Sequence, residues 1–247
     1  MSATVHKTKG IVLRTVKYGE TSIIGTVYTE LFGIQSYIVN GVRTISKKGS
    51  SKANYFQPAS ILELEVYHNE LKNLQRIKEF KWHFLYQHVL FDVIKNSVAL
   101  FMIELLQKTI RQPEPNSDLY HFIEDALVHL DEADAAVTAN FPVFFASHLT
   151  NFFGFRLSDE YDAQHSILDL QEGAFVSERP LHPYILEEPY SSIASQFLKV
   201  QQPHELKEIR INKEIRKILM NAYQSFYSLQ IQEFGTMKTV AVLQEVI

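Results

Sequence analysis

The chain is predicted to be an α+β protein of more than one domain: a five-stranded β-barrel over residues 1–80, then a mainly α-helical domain over residues 81–247 with a small β-hairpin insertion at about 156–190. Three observations predict this. Apolar runs rich in β-branched and aromatic residues, separated by glycine-bearing turns, fill the first third of the chain, as successive strands require. From Lys81 onward the apolar period becomes that of helices. At 247 residues and 46% hydrophobic content, there is enough apolar material for the cores of one large or two modest domains.

Residues 1–9, with Lys7 and Lys9, read as a short lead-in ordered only where it joins the first strand. Ile11 to Val16, Ile23 to Tyr28 and Ile34 to Val39 are the first three strands, and their short links imply antiparallel neighbours. In the third, Ile34, Ser36 and Ile38 point one way and Gln35, Tyr37 and Val39 the other. Neither face is cleanly polar, as expected of a curled sheet whose outer face is used. Asn40-Gly41 is a turn signal, and Val42 to Asn54 reads as a basic, flexible loop. Ile61 to Tyr67 sets Leu62, Leu64 and Val66 against Glu63, Glu65 and Tyr67, the pattern of a half-buried strand. After a turn at His68-Asn69-Glu70, Leu71 to Phe80 returns as a fifth strand with Leu74 set against Arg76 and Lys78. Five strands complete an OB-type barrel.

Trp82, Leu85, Tyr86, Val89, Val93 and Ile94 recur at helical spacing, and the pattern resumes from Val98 to Ile110 beyond a weak point at Asn96-Ser97, so two helices or one kinked helix fit. Arg111 to Ser117, with Pro113 and Pro115, reads as a connection. Asp118 is placed to cap a helix carrying Leu119, Phe122, Ile123, Ala126, Leu127 and Leu130, closed by the acidic turn Asp131 to Asp134. Pro142 opens or just precedes a helix over Val143 to Phe153, with Gly154 suited to a left-handed end. The helical pattern fails between Arg156 and Pro189, where Ile167 to Leu170 and Ala174 to Val176 flank Gln171 to Gly173 as a hairpin. The last long helix presents Ile211, Ile215, Ile218, Leu219, Ala222 and Phe226 opposite Arg210, Lys213 and Lys217, with Arg216 at the edge. Gly235 precedes a short terminal helix or strand.

Zero cysteines exclude disulfides and thiolate metal sites, and with no secretory pattern at the amino terminus the expected location is cytoplasmic. The most apolar segment, Val98 to Leu106, is interrupted by Glu104 and reads as a buried helix rather than a membrane span. The formal charge of -4 is unevenly distributed: residues 1–80 hold 11 Lys or Arg against 6 Asp or Glu, and the remainder 13 against 22. A basic module joined to an acidic body suggests a polyanion partner for one part only. No phosphate loop, dinucleotide fingerprint, H-E-x-x-H or G-x-S-x-G occurs, and His83 and His88 are one position off a helical metal pair. Glu124-Asp125 and Glu187-Glu188 are adjacent and point apart on a helix, which does not suit acid–base work. A binding protein without cofactor, rather than an enzyme, is the simpler account.

The candidate DNA-binding set is Arg14, Lys17, Arg43, Lys47, Lys48, Lys52, Arg76 and Lys78, which barrel closure would gather toward one groove. Lys and Arg release counterions from phosphates without reading sequence, whereas Tyr18, Tyr37, Tyr55 or Phe56 would stack on unpaired bases or fill the tapering barrel; for the tyrosines the structural role is favoured.

Gly10-Ile-Val-Leu, Tyr18-Gly-Glu-Thr, Thr29, Gly33, Gly41-Val-Arg43, Gln57-Pro58, Leu62-Glu-Leu64 and Tyr67, with Met237-Lys-Thr-Val-Ala-Val-Leu243 near the carboxy terminus, resemble the RecO family of bacterial DNA repair proteins over nearly the whole chain. The resemblance implies an OB-fold followed by a helical domain, binding of single- and double-stranded DNA and annealing of complementary strands. It also implies action with RecR to load RecA onto single strands coated by single-stranded-DNA-binding protein, at the nucleoid. It implies, further, recognition of the acidic, apolar tail of that coating protein by the helical body. Arg210, Lys213, Arg216 and Lys217 are the expected rim of a cleft between Val143–Phe153 and Ile211–Phe226. Many members carry a four-cysteine zinc module near residues 156–190, and here its ligands are missing. His165, His182, Asp159, Glu160 and Asp162 are the replacements at hand, but their spacings match no standard zinc pattern, and a metal-free, hydrophobically packed remnant is expected instead. The alternative reading is an adaptor that recognises RecR and the coating protein with little DNA affinity of its own.

Overall fold

A computed structural model describes residues 4–44, 51–110 and 114–247. The alternating runs of the first third become β1 (Thr4–Tyr18), β2 (Ser22–Thr29), β3 (Gly33–Val39), β4 (Ile61–His68) and β5 (Leu74–Trp82), closed into a barrel in the order β1-β2-β3-β5-β4. Every pairing in it is antiparallel except that of β3 with β5, which run parallel over Ser36↔Leu74 to Ile38↔Arg76. This is the OB-fold, and closure leaves no open sheet edge. Val12, Ile23, Val27, Tyr37, Val39, Phe56, Leu62, Leu64, Val66 and Ile77 form its core.

Two expectations change here. Residues from Thr4 onward are strand, not lead-in: Thr4↔His68 through Ile11↔Ile61 pair β1 with β4, while Gly10↔Thr29 through Tyr18↔Ser22 pair it with β2. One long strand serves two neighbours because a bulge at Leu13 turns it between them. Gly10 lies in the shared stretch, where a Cβ would sit 2.6 Å from Val27 Cγ1 and 3.0 Å from Leu64 Cδ1. In β5, Leu74 lies on the exposed face with Arg76 and Lys78, because residues two apart share a face; Gln75 and Ile77 are the buried ones.

The chain divides into two compact units, residues 1–87 with 110–128, and residues 88–109 with 129–247. In the first, the opening turns of α2 (Ser117–Glu132) accompany the barrel: Lys9 Nζ stands 2.6 Å from Glu124 Oε2, and the Tyr28 hydroxyl donates to the Asn116 carbonyl at 3.1 Å. Burial pushes the Tyr28 pKa up to about 12, the hydrogen bond to Asn116 opposing it. The cap of α2 is Asn116, whose Oδ1 accepts from Leu119 N at 2.9 Å, rather than Asp118.

In the second unit, α1 (Val93–Thr109) starts later than the helical spacing suggests and runs unbroken through Asn96-Ser97. Trp82 is claimed by β5, the His88 and Val89 amides donate to the buried Asp131 carboxylate, and Asp92 caps the helix through Ile94 and Lys95 N. Ser97 Oγ donates to the Val93 carbonyl, which satisfies its hydroxyl within the helix. Next, α3 (Ala135–Leu149) is capped by Asp134, and Pro142 lies inside it rather than at its start. A proline there removes one helical hydrogen bond, and the burial of Phe141, Phe144 and Phe145 around it outweighs that loss. A 3-10 turn, Thr150–Phe152, ends the segment, and Gly154 does not adopt a left-handed conformation.

The expected hairpin is present as β6 (Ile167–Asp169) and β7 (Ala174–Val176), with a third strand, β8 (Ile185–Leu186), on the other side of β6. The second unit is completed by α4 (Tyr190–Lys199), α5 (Lys213–Gln230) and α6 (Lys238–Val246). The amino terminus of α6 is held by Glu104 of α1, which accepts from Lys238 N at 2.9 Å, Thr239 N at 2.8 Å and the Thr239 hydroxyl at 2.5 Å. Burial alone would raise the Glu104 pKa, but these hydrogen bonds outweigh it and hold the carboxyl below its usual range. The interruption that marks Val98–Leu106 as no membrane span is therefore the anchor of the terminal helix; no described helix is long and apolar enough to cross a membrane.

Candidate nucleic-acid interface

Pairing between β3 and β5 is short, and beyond Ile38 and Arg76 the two strands part. The gap is a groove of about 430 Å³ with Asn40, Gly41 and Thr44 on one wall, Arg76, Lys78 and Phe80 on the other, and Lys52 beside it. Gly41 takes a left-handed φ of 70°, which lets the chain leave β3 sharply along the groove. Lys52 opens a 3-10 turn, Lys52–Phe56, capped by Ser51, whose Oγ accepts from Ala53 N at 3.2 Å. Its last residue, Phe56, is buried in the barrel.

A bulge shapes the other wall. Glu65 and Val66 of β4 face Glu79 and Ile77, so Lys78 is the extra residue of β5. Before it Gln75 and Ile77 point inward; after it Phe80 and Trp82 do, packing against the core. Tyr55 stacks on Trp82 at 4.7 Å and 19°, and meets Phe80 edge-on at 5.2 Å.

The predicted cations divide by their surroundings. Lys52 and Arg76 line the groove, and among the described residues no carboxylate pairs with either. Lys78 also lines it, but its ammonium is 2.9 Å from Glu65; that hydrogen bond raises the lysine pKa and lowers the carboxylate's. Arg43 donates Nη1 to the Gly19 carbonyl at 3.0 Å, tying the β1–β2 turn to the end of β3 with most of its fork left over. Lys47 and Lys48 lie outside the described residues. Arg14 and Lys17, three apart, fall on opposite faces of β1 and do not line the groove.

Arg14 instead joins the outer sheet face. Two rows cross four strands there, Arg14–Thr26–Ser36–Leu74 and Val16–Ile24–Ile38–Arg76. On this outer face β3 presents Ser36 and Ile38. Of the aromatic candidates, Tyr37 and Phe56 are buried in the core, Tyr55 is half-buried and Tyr18 is exposed. Sequence reasoning misses Trp82 and Phe80 because a bulge has no residue signature and the helical period overruns the strand.

In the second unit, Arg210, Lys213 and Lys217 are exposed, with Lys213 Nζ donating to the Glu245 carbonyl at 3.0 Å. Arg216 is half-buried: Nη1 donates to the Ile211 carbonyl at 3.0 Å, Nε has no partner among the described residues, and burial lowers its pKa. Where α3 meets α5, the Tyr227 hydroxyl donates to the Ala146 carbonyl at 2.8 Å, and the crevice beside them, about 10 Å³, holds at most a water. Four of the five residues considered as zinc replacements are engaged in hydrogen bonds or ion pairs. Asp162 binds His165, Asp159 accepts from Ser195 at 2.7 Å, and His182 faces Asp169 at 3.3 Å. Among the described residues, no group of three His, Asp or Glu is placed to hold a metal ion.

Barrel topology, parallel closure and a helical second unit define an OB-fold protein with an appended α-helical unit. The model of the amino-terminal domain of recombination protein O matches residues 1–86, and that of its carboxy-terminal domain matches residues 90–239. Similar proteins named DNA repair protein RecO occur in Phocaeicola vulgatus (31% identical, over 98% of each chain) and Flavobacterium psychrophilum (32%, over 97% of this chain and 98% of the relative). Another, in Bacteroides fragilis, is 30% identical over 98% of each chain. The chain belongs to the RecO family.

Proposed function

We propose that this protein binds single- and double-stranded DNA through its barrel, anneals complementary strands and, with RecR, helps load RecA onto single strands coated by single-stranded-DNA-binding protein. The observation that carries this reading is a groove on a closed OB barrel whose cations Lys52 and Arg76 have no carboxylate partner among the described residues. Such cations neutralise phosphate, which lowers repulsion between two strands, and interactions that ignore sequence leave the bases free to search for their complement. No step needs nucleotide hydrolysis, so the protein acts as a mediator at the nucleoid rather than as an enzyme. In the helical unit, the half-buried Arg216, flanked by Arg210, Lys213 and Lys217, is the centre proposed for the acidic tail of the coating protein.

Binding of labelled single and duplex strands across a salt series, without nucleotide or metal, tests the barrel reading. Affinity that falls steeply with salt, with faster annealing in the same buffer, is the expected result. Weak, salt-insensitive binding would favour the adaptor reading, which has one observation of its own: Lys78 and Arg43 are already engaged by Glu65 and Gly19.

A further inference from the structure

The cations of the groove and the half-buried aromatic pair come from the same two segments. Lys52 and Tyr55 belong to one 3-10 turn, and Arg76, Phe80 and Trp82 to one strand. Interior filling accounts for Phe56 and Tyr37, which are fully buried. It accounts less fully for a parallel stack that packs against the core yet keeps part of its surface in water, since an indole gains most when its faces are covered. Phe80 joins the stack to the groove, since it lines the groove and meets Tyr55 edge-on at 5.2 Å.

We infer that the Tyr55–Trp82 stack is a base-stacking subsite: an unpaired base of a strand whose phosphates lie on Lys52 and Arg76 covers the exposed side of the pair. This rests on the reading of the groove as a nucleic-acid site and adds a preference to it. A duplex can offer phosphates to the cations, but its bases are already stacked on one another, so the aromatic pair rewards only single strands. Charge supplies affinity for both forms and the stack separates them.

Trp82 is the only tryptophan in the chain, which makes it a reporter of its own surroundings. The experiment titrates the full-length protein with an oligothymidylate and with a duplex of equal length, following indole emission and the anisotropy of labelled strands together. The single strand is expected to quench emission with the same midpoint as the anisotropy, and the duplex to leave it unchanged. Trp82→Leu should lower single-strand affinity about tenfold, the size of one base–aromatic stack, and duplex affinity less than about twofold. Trp82→Phe and Tyr55→Leu, gentler on the fold, should give smaller losses with the same selectivity. Salt-dependent single-strand binding with unchanged emission, or equal losses for both forms, would overturn the subsite and leave the groove standing. No binding of either form would instead remove the groove reading itself, and the subsite with it.

Discussion

The barrel has two outer faces built from the same kind of strand, and they treat charge in opposite ways. Across β1, β4 and β5, Lys7, Lys78, Lys81 and Lys9 stand 3.5, 2.9, 2.7 and 2.6 Å from Glu65, Glu65, Glu63 and Glu124. Across β1, β2, β3 and β5, Arg14 and Arg76 stand among Val16, Ile24, Ile38 and Leu74 with no carboxylate opposite either in the register. Net charge therefore says little about where a polyanion binds. What matters is whether each cation already has its counterion within the fold, because a paired lysine must give up a carboxylate before it takes a phosphate.

The largest test of this contrast replaces Arg43, Lys52 and Arg76 together with Ala. DNA affinity at low salt should drop by on the order of a hundredfold, and the slope of log affinity against log salt should fall by about one for each phosphate no longer neutralised. An unchanged slope would dissolve the difference between the faces. Next is Lys9→Ala, which removes the ammonium at 2.6 Å from the Glu124 carboxylate, 10% exposed, and leaves it only His83 Nε2 at 3.2 Å. A fully buried pair broken on one side costs more; with Lys9 itself 23% exposed, a loss of about 2 kcal/mol in urea unfolding is expected, with DNA binding by the folded fraction unaltered.

A smaller effect is expected from acid. Hydrogen bonds from Lys81 and then His83 lower the Glu63 pKa, and one from Lys78 lowers that of Glu65. A carboxyl depressed in the folded state stabilises it above the unfolded pKa, roughly 4.3, and that contribution is lost as pH falls through the folded value. Glu65→Gln should thus lower stability slightly at neutral pH, flatten the acid limb of the profile, and leave stability below the folded pKa unchanged. Last, Lys81→Ala should change neither the melting temperature nor DNA affinity measurably, since its partner Glu63 is 44% exposed. A drop in DNA affinity as large as that of the triple variant would place the interface on the paired face instead.

Much of the barrel is legible in the sequence because its signals are local. Period-two alternation in Ile61–Tyr67 and turn glycines such as Gly41 report which residues point inward without reference to distant partners. The functional set is legible by type but not by grouping. Arg14 and Lys17 look like neighbours in the chain and separate on the sheet, while Lys52 and Arg76, far apart in the chain, meet at one groove. Trp82 reads as helix because its spacing to Leu85 and Tyr86 is helical, and only pairing with Leu62 shows it to be strand. Pro142 misleads in the same way: a proline marks a helix start by local rule, and burial of its neighbours lets the helix run through it.

By itself the sequence determined the classes of element, their approximate order and the concentration of positive charge in residues 1–80, since propensity, period and composition act over a few residues at a time. Tertiary structure alone decided which strand closes the barrel on which, where the bulge at Lys78 turns Phe80 and Trp82 inward, and which cations find a carboxylate. Those depend on register and closure, where a shift of one residue moves a side chain to the other face, and no local rule sees both strands at once.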